Sequence, residues 1–314
     1  MTVTVSVDNF VRAETARMLD ATAQRAGGVN RWWHLRGPVP LDAQTVIRMN
    51  RDTLYSSAVL DLREGAELTI PDPGDRYLSV MVINEDHYIN RLLRDPGTHR
   101  LTVEEYDTEF VAVAARIFAD PDDPADVSAV NRLQDGLRID AGAAGPYTHP
   151  DYDPASLDAT RELLLRLGAG VPDSRRTFGS AGEVDPVRHL TGTAIGWGGL
   201  PESEAYYAIE TAPRPVGHRR IEFRDVPVDA FWSFSVYDRD GYFAANPADR
   251  YSFNSVTAAA DDDGAVVIDL DTEDRGYRNH LYVMDGWNYA IRFYRPRAEI
   301  LDGRWTPPVP VPAD

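Results

Sequence analysis

Hydrophobic residues change their spacing three times along this chain. Over residues 8–26 they recur at helical intervals, with Phe10, Val11, Met18 and Leu19 on one side. Asp8 is placed to cap that helix, and Gly27 with Gly28 to stop it. From residue 45 to 84 the pattern becomes β-like, with short strands predicted at 55–62, 67–71 and 76–82 between Gly and Pro. The third strand runs into a polar turn, Asn84-Glu85-Asp86-His87. Residues 103–118 are apolar at helical spacing, with Tyr106, Phe110, Val113 and Ile117 in one stripe, which predicts a second helix. Residues 123–133 and 157–167 predict two more, and the Gly- and Pro-rich residues 141–154 a loop. Strands return at 219–223, 230–237, 265–270 and 288–294, with hairpin-type junctions ending in Gly241 and Gly264.

Short strands with frequent turns point to a sandwich or barrel-like sheet, not a dinucleotide-binding fold. The predicted class is α+β and mainly β: two antiparallel β-sandwich or jelly-roll-like domains with an inserted helical layer. The boundaries read as a helix plus β domain over 1–100, a helical region over 101–195 and a C-terminal β-sandwich over 196–314.

Composition narrows the chemistry. At 314 residues and 43% hydrophobic content the chain can build the cores of two domains. No apolar run reaches the roughly 20 residues that cross a bilayer, and the first residues lack the basic start and apolar stretch of a signal peptide. A cytoplasmic location is the expectation. Cysteine is absent, and all 32 basic residues are arginine. Thiolate chemistry, a lysine Schiff base and a phosphate loop with its lysine are therefore excluded. The net charge of −18 repels nucleic acid and anionic membranes and favours a neutral or cationic ligand without identifying one; the expected partner is a small-molecule substrate, with homo-oligomerisation open. No zinc-type histidine spacing, dinucleotide glycine pattern, calcium loop or nucleophile elbow occurs. The expected cofactor set is empty, and so is the expected metal set.

Two phrases carry the candidate chemistry. In Asn50-Arg51-Asp52-Thr53-Leu54-Tyr55 charged residues enter a strand, where burial demands pairing because desolvation costs several kcal/mol per ion. Either Arg51 and Asp52 form a structural pair, or one of them faces a ligand. In the stretch Phe231-Trp232-Ser233-Phe234-Ser235-Val236-Tyr237-Asp238, aromatics alternate with small polar residues. Trp232, Tyr237, Trp287 and Tyr294 belong either to a sandwich core or to an aromatic pocket. Arg292 shares a strand face with Tyr294, and beside it makes an anion site if that face is enclosed. His87, at a strand end, is the leading general-base candidate, with a surface role as the alternative. Trp197, in Gly196-Trp197-Gly198-Gly199, stands at the entry to the C-terminal region.

The first phrase, with Asp61-Leu62, Asp75-Arg76-Tyr77 and the later Val130-Asn131-Arg132-Leu133-Gln134-Asp135-Gly136, resembles the uncharacterised domain family DUF1254. The second, with Tyr251-Ser252, Arg292-Phe293-Tyr294-Arg295-Pro296 and Trp305-Thr306-Pro307-Pro308, resembles its usual C-terminal companion, DUF1214. The resemblance implies two sandwich-like β domains with helices beside them, and no agreed reaction. Two departures stand out: the segment after Asn84 is short, and Asn279-His280-Leu281-Tyr282 replaces the usual Asn-Trp-Leu-Pro.

The expected function is acid–base chemistry of the lyase, isomerase, cyclase or hydrolase kind. The substrate would be a small, largely apolar molecule held between the two β domains. Asp52, His87 and Tyr55 are the expected catalytic residues, and Asn50, Arg51, Trp197, Trp232, Arg292 and Tyr294 the expected substrate-binding ones. Non-catalytic binding of a small ligand or carbohydrate, or an assembly role, is the alternative.

Overall fold

The structure, a computed structural model, describes residues 2–44, 46–171 and 173–313. The chain forms two units, each assembled from separated segments. The first comprises Met1–Arg36, Leu54–Phe118 and Ala125–Pro201, and the second Gly37–Thr53, Ala119–Pro124 and Glu202–Asp314.

The first unit runs α1 (Phe10–Ala26), β1 (Trp33–His34), β2 (Thr53–Asp61), β3 (Ala66–Ile70), β4 (Leu78–Asn84), β5 (Arg91–Leu93), β6 (Gly97–Leu101), α2 (Val103–Tyr106), β7 (Phe110–Phe118), α3 (Pro124–Gly136), β8 (Arg138–Ala141), α4 (Pro154–Gly168) and α5 (Pro186–Gly196). Thr53 and Pro124, which open β2 and α3, count with the second unit. Five strands form a sheet in the order β1-β2-β7-β4-β5, and three form another in the order β6-β3-β8. Helix α1 stops as its sequence requires. Gly27 takes φ 77°, and the amides of Gly27 and Gly28 close on the carbonyls of Gln24 and Ala23. Helices α4 and α5 each start with Pro at the first turn behind an aspartate cap, Asp153 and Asp185.

One predicted helix is corrected. Residues 103–118 contain a single helical turn, α2, and then the strand β7. Asp107, at φ 59°, breaks the helix, and β7 pairs antiparallel with β4 from Leu78↔Ile117 to Asn84↔Val111. Most of β7 is buried on both faces, so its apolar residues do not alternate. A continuous apolar run matches helical spacing by default.

The second unit contains β9 (Ala205–Arg214), β10 (Arg219–Phe223), β11 (Trp232–Tyr237), β12 (Ser252–Asn254), β13 (Val266–Asp271), β14 (His280–Tyr282), β15 (Trp287–Tyr294), α6 (Ala298–Leu301) and β16 (Val311–Pro312). Two four-stranded sheets, β12-β11-β15-β9 and β14-β13-β10-β16, make a β-sandwich. Every pairing is antiparallel except β13 with β14. Alternate residues of the facing strands fill the core: Trp232, Phe234 and Val236 from β11, Trp287, Tyr289, Ile291 and Phe293 from β15, and Ile268 and Leu270 from β13. At about 1.5–3 kcal/mol per large buried side chain, this inner layer is the main force closing the sandwich. The fold is α+β and mainly β.

Candidate functional site

The period of two in β11 and β15 places a second set of residues on the outer face of their sheet. These are Ser233, Ser235 and Tyr237 from β11 and Asn288, Ala290, Arg292 and Tyr294 from β15; Asn254 joins them through its pairing with Ser233. An outer sheet face is ordinarily wet. Here all of these residues are buried. The segment Gly37–Thr53 of the same unit runs across them and supplies Arg48, Met49, Asn50 and Asp52.

Arg292 anchors that segment. One terminal nitrogen donates to the Arg48 carbonyl at 2.6 Å and to Tyr237 Oη at 2.9 Å, and the other to Ser235 Oγ at 3.2 Å. Tyr237 Oη in turn donates to the Met49 carbonyl at 3.0 Å. Arg48 reaches Asn288 Oδ1 at 3.1 Å and holds a left-handed φ of 51°. Asn50 closes a local turn by accepting the Asp52 amide on its Oδ1 at 2.8 Å. Its Nδ2 donates to Tyr294 Oη at 3.0 Å. Tyr294 stacks on Phe231 with ring centres 4.1 Å apart.

Asp52 sits in this layer with no solvent exposure. Its Oδ1 accepts a long bond, 3.4 Å, from Asn254 Nδ2. Asn254 is locked in that orientation because its own oxygen accepts the amides of Val256 and Thr257. Among the described residues, Asp52 Oδ2 has no hydrogen-bond partner, and neither does Ser233 Oγ. Arg292 makes no direct ion pair with any described carboxylate. Burial pushes the Asp52 carboxyl above the ordinary aspartate value. The Arg292 charge, the nearby Ser233 and Asn254 side chains and the Arg51 charge pull the other way without prevailing. After Arg292, the Ser233 hydroxyl is the neighbour that favours the charged carboxylate most, ahead of Asn254. The result is a buried carboxyl biased toward its neutral form near a fixed guanidinium. That pairing can give a proton to a ligand atom and stabilise the negative charge left behind.

Arg51 belongs to the same unit but faces rings: its guanidinium lies 5.0 Å from the centre of Tyr251 and 6.0 Å from that of Phe243. Asn50, Arg51, Asp52, Arg292 and Tyr294 are thus all residues of the second unit. Trp232 is not on this face. It points into the sandwich core and stacks on Phe223 at 3.8 Å, because strand parity sends it opposite to Ser233.

The remaining candidates lie in the first unit. Tyr55, on β2, is half-buried beneath the Arg116 guanidinium, 5.5 Å from its ring. His87 is fully buried, not a surface-loop residue. Its Nε2 accepts the Gly198 amide at 2.9 Å, so its Nδ1 carries the proton and donates to Thr193 Oγ1 at 2.7 Å. Burial, and then the neighbouring His189, lower its pKa to about 3. With both nitrogens engaged, its neutral ring ties strand to helix. Trp197 stacks on it at 5.4 Å and donates to Thr15 Oγ1. Among the described residues, no group of three or more His, Cys, Asp or Glu is arranged to hold a metal ion. No helix among them is long and apolar enough to cross a membrane.

The residues that sequence reasoning left out are Arg48, Ser233, Ser235, Asn254 and Asn288. Their signal was in the chain: the serines between the aromatics of β11 mark a polar face opposite the core.

Two family models match the sequence. Residues 29–90 match a protein of unknown function, DUF1254, and residues 217–298 a second, DUF1214. Both resemblances read from the motifs are borne out. A comparison with curated proteins returns no match. Among solved structures, the chain is similar to the VPA0106 protein from Vibrio parahaemolyticus. The identity is 19%, the coverage 98% of each chain and the TM-score 0.78. It is also similar to an uncharacterized protein from Burkholderia cenocepacia, with 14% identity, 96% and 85% coverage and a TM-score of 0.52. At these identities the likeness concerns the fold alone.

Proposed function

We propose that this chain, a DUF1254 and a DUF1214 segment in one polypeptide, is an enzyme that performs acid–base chemistry on a small, largely apolar organic molecule. Its working group is Asp52. The observation that carries the reading is one buried carboxyl with an oxygen that has no partner and a pKa raised by burial. Buried polar atoms are nearly always satisfied, and strongly perturbed carboxyls cluster at functional sites. In this reading Asp52 transfers the proton, and Arg292 stabilises negative charge on the reacting molecule. Asn254 orients Asp52, while Asn50 and Tyr294 hold the covering segment in register. Elimination, isomerisation, cyclisation and hydrolysis can each use a proton donor beside a fixed positive charge.

The test works with a substrate still to be identified. Purified protein and its Asp52→Asn variant are each incubated with a metabolite extract and compared by mass spectrometry. The reading expects a compound consumed by the wild type and spared by the variant, with a rate loss of at least about 100-fold, the usual worth of a positioned acid or base. A compound consumed equally fast by both removes Asp52 from the chemistry.

A further inference from the structure

Phe253 and His280 belong to β12 and β14, each the outermost strand of its sheet. Both line a cleft of about 270 Å³, together with Arg250, Asp274, Tyr277 and Arg278. Its walls combine two kinds of surface. One is cationic. Arg250 commits only Nε to Asp122 Oδ2, at 3.1 Å, and Arg278 only one terminal nitrogen to Asp261 Oδ1, at 3.0 Å. Both terminal nitrogens of Arg250, and Nε and the second terminal nitrogen of Arg278, have no acceptor among the described residues. Both side chains are about half exposed, so these donors are open to an incoming ligand.

The other surface is made of rings held in place. Tyr277 Oη donates to Asp271 Oδ2 at 2.9 Å, and His280 Nε2 donates to the Asp271 carbonyl at 3.2 Å. One residue of β13 thus fixes both rings, whose centres are 5.5 Å apart. The Arg250 guanidinium lies 5.0 Å from the centre of Phe253. The one carboxylate in the lining, Asp274, turns an oxygen to the amides of Gly276 and Tyr277. His280 also stands where the sequence departs from the family it resembles, so part of this wall is particular to this chain.

We propose that the cleft is a second small-molecule site, independent of Asp52, and that it takes a planar organic carboxylate. A carboxylate matches the forked donors of arginine, and a flat apolar body matches fixed rings. An anion without such a body leaves the rings uncovered, and a ring without the charge leaves the guanidinium donors unused.

Benzoate is the probe, with benzyl alcohol and inorganic phosphate as partial mimics, titrated calorimetrically into the full chain. Benzoate is expected to bind more tightly than either mimic. Arg250→Gln and Arg278→Gln are each expected to weaken it by at least about tenfold. Both changes are at half-exposed side chains, and circular dichroism checks that the fold is kept. Asp52→Asn is expected to leave benzoate affinity unchanged. Absence of benzoate binding, equal affinity in the arginine variants, or phosphate binding as tight as benzoate overturns the proposal. Loss of benzoate binding in Asp52→Asn overturns it too, by assigning the probe to the Asp52 face.

Discussion

Asp52 and His87 are both fully buried titratable groups, yet burial acts on them in opposite senses. For His87 the folded pKa, about 3, lies below the ordinary 6.5. Its neutral ring stabilises the fold fully above about pH 6.5, and that contribution is lost as pH falls toward 3. The expected size is on the order of a few kcal/mol. Urea unfolding across this range should show acid destabilisation that His87→Gln reduces; an unchanged slope would mean that the ring does not titrate as its surroundings require. For Asp52 the folded pKa lies above the ordinary 3.8. Stability from this group is present below that value and is lost as pH rises through the raised folded pKa. Asp52→Asn should therefore keep or raise stability at neutral pH, as measured by thermal unfolding. A loss of about 3–5 kcal/mol would instead mark a broken buried ion pair. Asp52 and Arg292 were legible as candidates because charges in an aromatic, strand-forming context demand an explanation. The satisfied state of His87 was not, since its partners, Thr193 and Gly198, lie more than a hundred positions away.

At the scale of elements, strand parity decides what each residue does. Neighbours on β11 face opposite environments, so their truncations should differ sharply in urea denaturation. Trp232→Ala removes a core ring stacked on Phe223 and should cost about 3–5 kcal/mol. Ser233→Ala removes a hydroxyl with no hydrogen-bond partner among the described residues, one that favours the charged form of a carboxyl held toward neutrality, and should be neutral or mildly stabilising. Ser235→Ala strips one acceptor from the buried Arg292 and should cost about 1–3 kcal/mol. Equal costs for the two serines would mean that the outer face is not organised as described. Parity was readable in β11, where serine alternates with aromatics. It was not readable in β7, where both faces are apolar and the helical period fits equally well. Edge strand β9 went unread because its exposed and buried residues follow no strict alternation.

At the scale of the molecule, the second unit is a sandwich with a buried polar layer on the outside of one sheet. The core between its sheets is conventional, and the polar layer is hydrogen-bonded to Arg48, Met49, Asn50 and Asp52, from far earlier in the chain. Sequence reasoning identified four strands of this unit, β10, β11, β13 and β15, and the class of fold. The return of an N-terminal segment to a C-terminal sandwich leaves no periodic trace, so it could be seen only in three dimensions. The most direct test of the account is the ionisation of one group. Carbon-13 NMR of aspartate-labelled protein, with Asp52→Asn assigning the signal, gives the Asp52 titration curve. The midpoint is expected above 3.8. A midpoint at or below that value would show a carboxylate held by its partners in the charged form, and would contradict the claim that Asp52 is poised to move a proton.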